Sequence, residues 1–186
     1  FVRRLDLMLL HKLGRADKGA PQAGAESQDW YDSQAFRVFL DDFYHRLENR
    51  FRGSYDDIRN KLRVHLADVE AAVIRSGHKP VMDIGCGRGE WLSLLRSAGI
   101  TAFGVDTNPM QIDEGQRSGL DIRLGDALAT LAKAGDASLS VVTAHHVVEH
   151  LPFDKVAWIV REAMRVLAPG GLLLFETPDT RNVLVG

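Results

Sequence analysis

Residues 81 to 90 read Val-Met-Asp-Ile-Gly-Cys-Gly-Arg-Gly-Glu, a short apolar run that breaks into three alternate glycines before helical spacing takes over at Trp91. A strand that turns sharply into a helix needs residues tolerant of left-handed backbone. Glycine also lets a ligand touch the main chain and leaves amide N–H groups at the helix start pointing at it. The spacing is G-x-G-x-G. A dinucleotide fingerprint would place glycine or alanine at position 90, where Glu90 stands.

Short apolar runs alternate with helical stretches from this point on. Val81–Ile84, Thr101–Asp106, Asp121–Leu124, Leu139–Ala144 and Leu172–Glu176 read as strands, and Trp91–Ala98, Pro109–Ser118, Ala127–Ala134 and Lys155–Leu167 as the helices between them. Strands joined by crossover helices predict an α/β fold, a Rossmann-like doubly wound parallel sheet. In such sheets ligands bind at the carboxyl ends of the strands. Polar residues stand at those ends here: Asp106 and Thr107 after the second strand, Gly125-Asp126-Ala127 after the third, and His145-His146-Val-Val-Glu149-His150 after the fourth. Asp106 lies 19 residues beyond Gly87, where a carboxylate can accept both hydroxyls of an adenosyl ribose.

The first 80 residues have a different texture. Val2, Leu5, Leu9 and Leu13 predict a short amphipathic helix over residues 1–13, and the Gly, Ala, Pro, Gln and Ser of 14–32 a linker. Phe36, Phe39, Leu40, Phe43, Leu47 and Phe51 mark one face of a helix that Gly53 ends. Ser54 with Asp57 starts a second, carrying Ile58, Leu62, Leu66, Val69 and Val73 up to Gly77. Residues 33–78 therefore read as a helical extension or lid, and 79–186 as the α/β core.

Composition narrows the class. A 186-residue chain, 45% hydrophobic, with a single cysteine, Cys86, and a net charge of −2 has neither the basic field of a nucleic-acid binder nor a disulfide framework. Residues 1–79 carry +2 and residues 80–186 carry −4, which favours a small-molecule partner. No apolar run is long enough for a membrane span, and no signal peptide is evident, so a cytoplasmic location is expected. The chain starts at Phe1 rather than Met, so it is expected to be part of a longer chain.

Taken with their order and spacing, these motifs resemble those of the class I S-adenosylmethionine-dependent methyltransferases. Asp83-Ile-Gly-Cys-Gly-Arg-Gly is similar to their first motif, Val105-Asp106 to the second, Gly125-Asp126-Ala127 to the third, and Leu167-Ala-Pro-Gly-Gly to the turn before the fifth strand. The resemblance implies S-adenosylmethionine as cofactor and S-adenosylhomocysteine as product. It places Gly85, Cys86, Gly87, Arg88 and Gly89 on the methionine portion, Asp106 and Thr107 at the ribose, Asp126 and Ala127 at the adenine edge, Asp83 at the cofactor's amino group and His145 near the sulfonium. Tyr44, Arg52 and Arg63 of the extension are candidates to meet the cofactor carboxylate or an anionic acceptor. With Glu176 so near the chain's end, the last two strands of that fold are expected to be missing.

Phe43-Tyr44-His-Arg-Leu-Glu-Asn-Arg-Phe-Arg-Gly-Ser54, Cys86-Gly-Arg-Gly-Glu-Trp91, His146-Val-Val-Glu-His-Leu-Pro-Phe153 and Glu176-Thr-Pro-Asp-Thr-Arg-Asn182 are similar to bacterial methyltransferases of cell-surface polysaccharide and lipopolysaccharide synthesis. That likeness implies O-methylation of a sugar hydroxyl or terminal phosphate. Two alternatives stand beside it, a small phenol or quinone precursor as acceptor and a non-catalytic cofactor-binding module of a glycan-assembly protein or complex. The His146, Glu149 and His150 cluster has three readings: packing at a helix start, a base or substrate-orienting group, and a metal site. The last follows from a resemblance to ubiquinone-pathway O-methyltransferases and small-RNA 2′-O-methyltransferases, whose Glu-x-x-Glu-His binds a divalent ion. His146 replaces the first Glu here, which weakens it, and no metal is expected.

Overall fold

A computed structural model describes residues 33–36, 38, 39 and 53–177. The expected helix at 1–13, the linker at 14–32, most of the helix from Ser33 to Phe51, the candidates Tyr44 and Arg52, and the tail from Pro178 lie outside the described residues. Residues 34–36, 38 and 39 are helical, and the Ser33 hydroxyl accepts the Phe36 N–H at 3.2 Å as an N-cap. They belong to a compact unit distinct from that of residues 53–177.

In the larger unit the elements run α1 (Tyr55–Lys61), a 3-10 turn (Leu62–His65), α2 (Leu66–Arg75), β1 (Val81–Ile84), α3 (Glu90–Ser97), β2 (Ala102–Asp106), α4 (Pro109–Arg117), β3 (Ile122–Leu124), α5 (Ala127–Lys133), β4 (Leu139–His145), a 3-10 turn (Val148–His150), α6 (Phe153–Val166) and β5 (Leu167–Glu176). The five strands form one parallel sheet in the order β3-β2-β1-β4-β5. Beginning at the centre and stepping outward on both sides makes it doubly wound, as the alternation of elements predicts.

The central strands β1 and β4 are buried along their whole length, as strands covered on both faces must be. Side chains alternate between two cores. Val81 and Val141 face Ile58, Leu62, Val69, Ala72, Val73, Trp91, Leu94 and Leu95 of α1, the 3-10 turn, α2 and α3. Met82, Ile84, Val142 and Ala144 face Leu131 of α5 and Ile159 and Val166 of α6. The helices from residue 55 to 75 are thus part of the sheet's own core.

Two elements differ from the sequence reading. The single helix expected after Ser54 is broken by a 3-10 turn at Leu62–His65, which brings His65 over the sheet's carboxyl edge beside Glu176. The fifth strand begins at Leu167, ahead of the expected Leu172. The Ala-Pro-Gly-Gly turn lies within it as an irregularity: from Leu139↔Leu167 to Val141↔Leu172, β5 advances five residues while β4 advances two. At Gly171 a Cβ would sit 2.8 Å from the Ser140 carbonyl oxygen, so only glycine lets the strands approach there.

Candidate active site at the carboxyl edge of the sheet

The glycine loop takes the shape its composition requires. Gly85, Gly87 and Gly89 all have positive φ, of 63°, 53° and 84°. At Gly85 a Cβ would also lie 2.5 Å from Val147 Cγ2, so the loop sits directly against the segment after β4. Asp106, at the end of β2, closes the loop: one carboxylate oxygen accepts the Gly87 N–H at 2.9 Å and the other the Asn108 N–H at 2.8 Å. Each oxygen keeps a lone pair for a further donor. From the other side the Tyr55 hydroxyl donates to the Gly89 carbonyl at 3.3 Å, tying α1 to the same loop.

Other residues of this region prove to be structural partners. Arg88 turns to Glu90, which is 2% exposed, with Nε and an Nη 2.9 and 2.6 Å from one carboxylate oxygen. Asp126 is the N-cap of α5 and accepts the Ala129 N–H at 2.9 Å, a role its position before Ala127 could have signalled. Thr107 is exposed at the edge, and Gly125 is half-buried. Cys86 packs with Leu92, Ile112, Leu120 and Ile122. A helix N-terminus lowers a thiol's pKa, but here burial, with Asp83, Asp106 and Glu90 nearby, pushes it far up, so Cys86 is a core residue rather than a thiolate.

At the ends of β1, β4 and β5 the polar groups form one connected set. Asp83 is 2% exposed; the Thr143 hydroxyl donates to its Oδ1 at 2.6 Å, and His145 Nδ1 lies 3.4 Å from the same oxygen. The His145 ring meets Trp91 edge-on at 5.2 Å and His65 at 5.8 Å between centroids. His65, which its place on a helix face marks as exposed, is half-buried and sits 2.6 Å from Glu176 Oε2. His146 is exposed, its Nδ1 3.4 Å from Glu149 and its Nε2 3.4 Å from the other Glu176 oxygen. Partial burial raises the Glu176 pKa, but the His65 hydrogen bond and the charges of His145, His65 and His146 outweigh it and hold it below the usual carboxylate range.

The backbone of His146 is itself unusual, with φ of 57°. Its N–H donates to the Glu176 carbonyl at 2.8 Å, fixing the left-handed turn by which the chain leaves β4. Non-glycine residues pay for this geometry, which concentrates at functional sites. His150 lies exposed in the 3-10 turn and Arg63 exposed beyond α1; the Arg63 Nε donates to Asn60 at 3.2 Å. A cavity of about 80 Å³ opens between Ile58, Lys61, Leu62, His146 and Glu176. A larger one, about 310 Å³, is lined by residues such as Glu70, Lys79 and Thr101 at the opposite edge of the sheet and contains no motif residue.

Glu176 and His65 are the site residues that sequence reasoning missed. Glu176 was legible as a strand-terminal carboxylate; nothing in the sequence marked His65.

Comparison with known proteins places this geometry. The Ubiquinone biosynthesis O-methyltransferase of Pseudomonas entomophila is 29% identical over 135 residues, 70% of this chain and 55% of that protein. The enzyme of the same description from Idiomarina loihiensis is 34% identical over 110 residues, covering 56% and 44%. The crystal structure of a SAM dependent methyltransferase from Archaeoglobus fulgidus superposes with a TM-score of 0.60 at 30% identity, covering 68% of this chain and 54% of that one. The chain spans about half the length of the curated relatives it matches. These relatives do not support the polysaccharide reading, which rested on the likeness of the extension, the glycine loop, the segment after β4 and the tail. A family model described as "Methyltransferase domain" matches residues 31–183, and with its motifs carried on the expected sheet edge, the chain belongs to that methyltransferase family, with the class I fold.

Proposed function

We propose that this chain is the cofactor-binding part of an S-adenosylmethionine-dependent O-methyltransferase whose acceptor is a small phenol or quinone precursor. The observation that carries the reading is the glycine loop, bound to Asp106 and directly abutting the His146 turn, in a chain whose curated relatives include several described as Ubiquinone biosynthesis O-methyltransferases.

The residues present fit the cofactor. In the loop at Gly85–Gly89 the N–H groups of Gly85, Cys86, Gly87 and Gly89 are bonded within the chain and Gly87 and Gly89 are buried, so a methionine tail would meet it at the half-buried Gly85 and Arg88. Asp106 retains lone pairs for two ribose hydroxyls, and Asp126 with Ala127 would meet the adenine edge. Arg88 is turned toward Glu90, so its part is to hold the loop; Asp83 and His145 support the site from beneath. When bound, the cofactor supplies an electrophilic methyl on a sulfonium, and the acidic balance of residues 80–186 suits a cation. The chain must then orient an acceptor oxygen in line and take its proton. His146 suits that role: it is exposed at the edge and its two ring nitrogens lie near Glu149 and Glu176, which stabilise the imidazolium as it forms. A phenol, with a pKa near 10, is within reach of such a base. His150, exposed in the 3-10 turn that follows, is the second candidate for that base.

The test offers labelled S-adenosylmethionine with a panel of small phenols and of sugar and sugar-phosphate acceptors. Label should pass to a phenol. His146→Gly, which keeps the left-handed turn without strain, should lower kcat by about 10²-fold or more with cofactor affinity unchanged. Transfer to sugars alone, or full turnover in His146→Gly, would contradict the assignment.

A further inference from the structure

Among the described residues, one group of three metal-ligating side chains has its ligand atoms all within 4.8 Å of one another: His65, His145 and Glu176. It differs from the His146, Glu149 and His150 pattern read from the sequence. Three parts of the chain build it, the 3-10 turn between α1 and α2, the end of β4 and the end of β5.

The state of His145 singles this group out. Its side chain is 4% exposed, Nδ1 faces the buried Asp83 carboxylate at 3.4 Å, and Nε2 is buried without a hydrogen-bond partner. An imidazole held at one nitrogen by a carboxylate, with the other nitrogen unsatisfied beside a second imidazole and a carboxylate, has the arrangement of a metal-bound histidine and its supporting acid. Thr143 donates to the same Asp83 oxygen and fixes that acid in turn. His65 and Glu176 are only 24% and 33% exposed, so the site is partly shielded from water. It borders the cavity of about 80 Å³ between α1 and Glu176, which has room for a water molecule or two to complete a coordination shell.

We propose that His65, His145 and Glu176 bind a divalent first-row transition cation of the zinc or iron(II) class, with Asp83 as the positioning residue for His145. Two imidazoles and one carboxylate select such an ion over magnesium or calcium, which prefer oxygen ligands. The bound ion joins the N-terminal helices to the carboxyl edge of the sheet. The site stands on geometry alone; its use in methyl transfer, next to His146, rests on the function proposed above.

The experiment strips the purified chain with a chelator and titrates it with Co²⁺, reading visible ligand-field absorption, then with Zn²⁺ to displace it. One equivalent should bind with a low-symmetry spectrum, and Zn²⁺ should raise the thermal midpoint. Mg²⁺ at equal concentration should do neither. His65→Gln preserves a hydrogen bond to Glu176 and so the local fold, yet should weaken binding about ten-fold or more. Asp83→Asn should weaken it about 10–100-fold, and the exposed His78→Ala should not change it. Binding below one equivalent, or affinity unaltered in a folded His65→Gln variant, would overturn the proposal. Because no turnover enters these readouts, failure of the methyltransferase reading and failure of the cation site are separately visible.

Discussion

Individual side chains at this site hold the scaffold as well as face the edge. Asp126 shows the point most simply. Its carboxylate caps α5, and in the function proposed above it would also meet the adenine amine. The two roles separate by substitution. Asp126→Ala should lose about 1 kcal/mol of stability with the cap, and Asp126→Ser only a few tenths, since serine caps as well. Both should bind S-adenosylmethionine about ten-fold more weakly or worse, the worth of one charge-assisted hydrogen bond. Chemical denaturation and calorimetry check the pair, and wild-type affinity in Asp126→Ser would reduce the residue to a cap. Asp106 carries a similar double duty, because the oxygens that would meet a ribose already fix Gly87 and Asn108.

Among the elements, the helices between Tyr55 and Arg75 matter more than the word extension suggests. Leu62 is 5% exposed and packs in the cluster that contains Val81, Trp91 and Val141. Leu62→Ala should cost about 2–5 kcal/mol in a denaturant titration of the whole chain; a loss under 1 kcal/mol would show the helices to be only loosely applied to the sheet. The strands and helices from Val81 onward were legible because each repeats its own period over enough residues, and because glycine, Asp106 and Asp126 stand at strand ends in chain order. The 3-10 break at Leu62–His65 was not: the helical period of Ile58, Leu62, Leu66 and Val69 continues through it. The strand start at Leu167 was hidden by Pro169 and Gly170, which read as a turn and are accommodated as an irregularity in β5. The His65–Glu176 contact joins residues 111 positions apart, and no local pattern encodes a pairing of that span.

For the molecule as a whole, Gly85–Gly89, Asp106, Gly125–Ala127 and His145–His150 converge on the carboxyl edge of the β3-β2-β1-β4-β5 sheet, where a doubly wound fold binds ligands, while Leu167–Gly171 opens β5 at the other end. The five strands expected are present among the described residues, and among them no helix is long and apolar enough to cross a membrane. The central claim is that this edge holds S-adenosylmethionine through the glycine loop and Asp106. Isothermal titration of the wild-type chain and of Asp106→Ala with the cofactor tests it most directly. One site in the wild type, weakened about ten-fold or more by the substitution, is the predicted result. No binding by the wild type, or equal affinity in the two proteins, would contradict it.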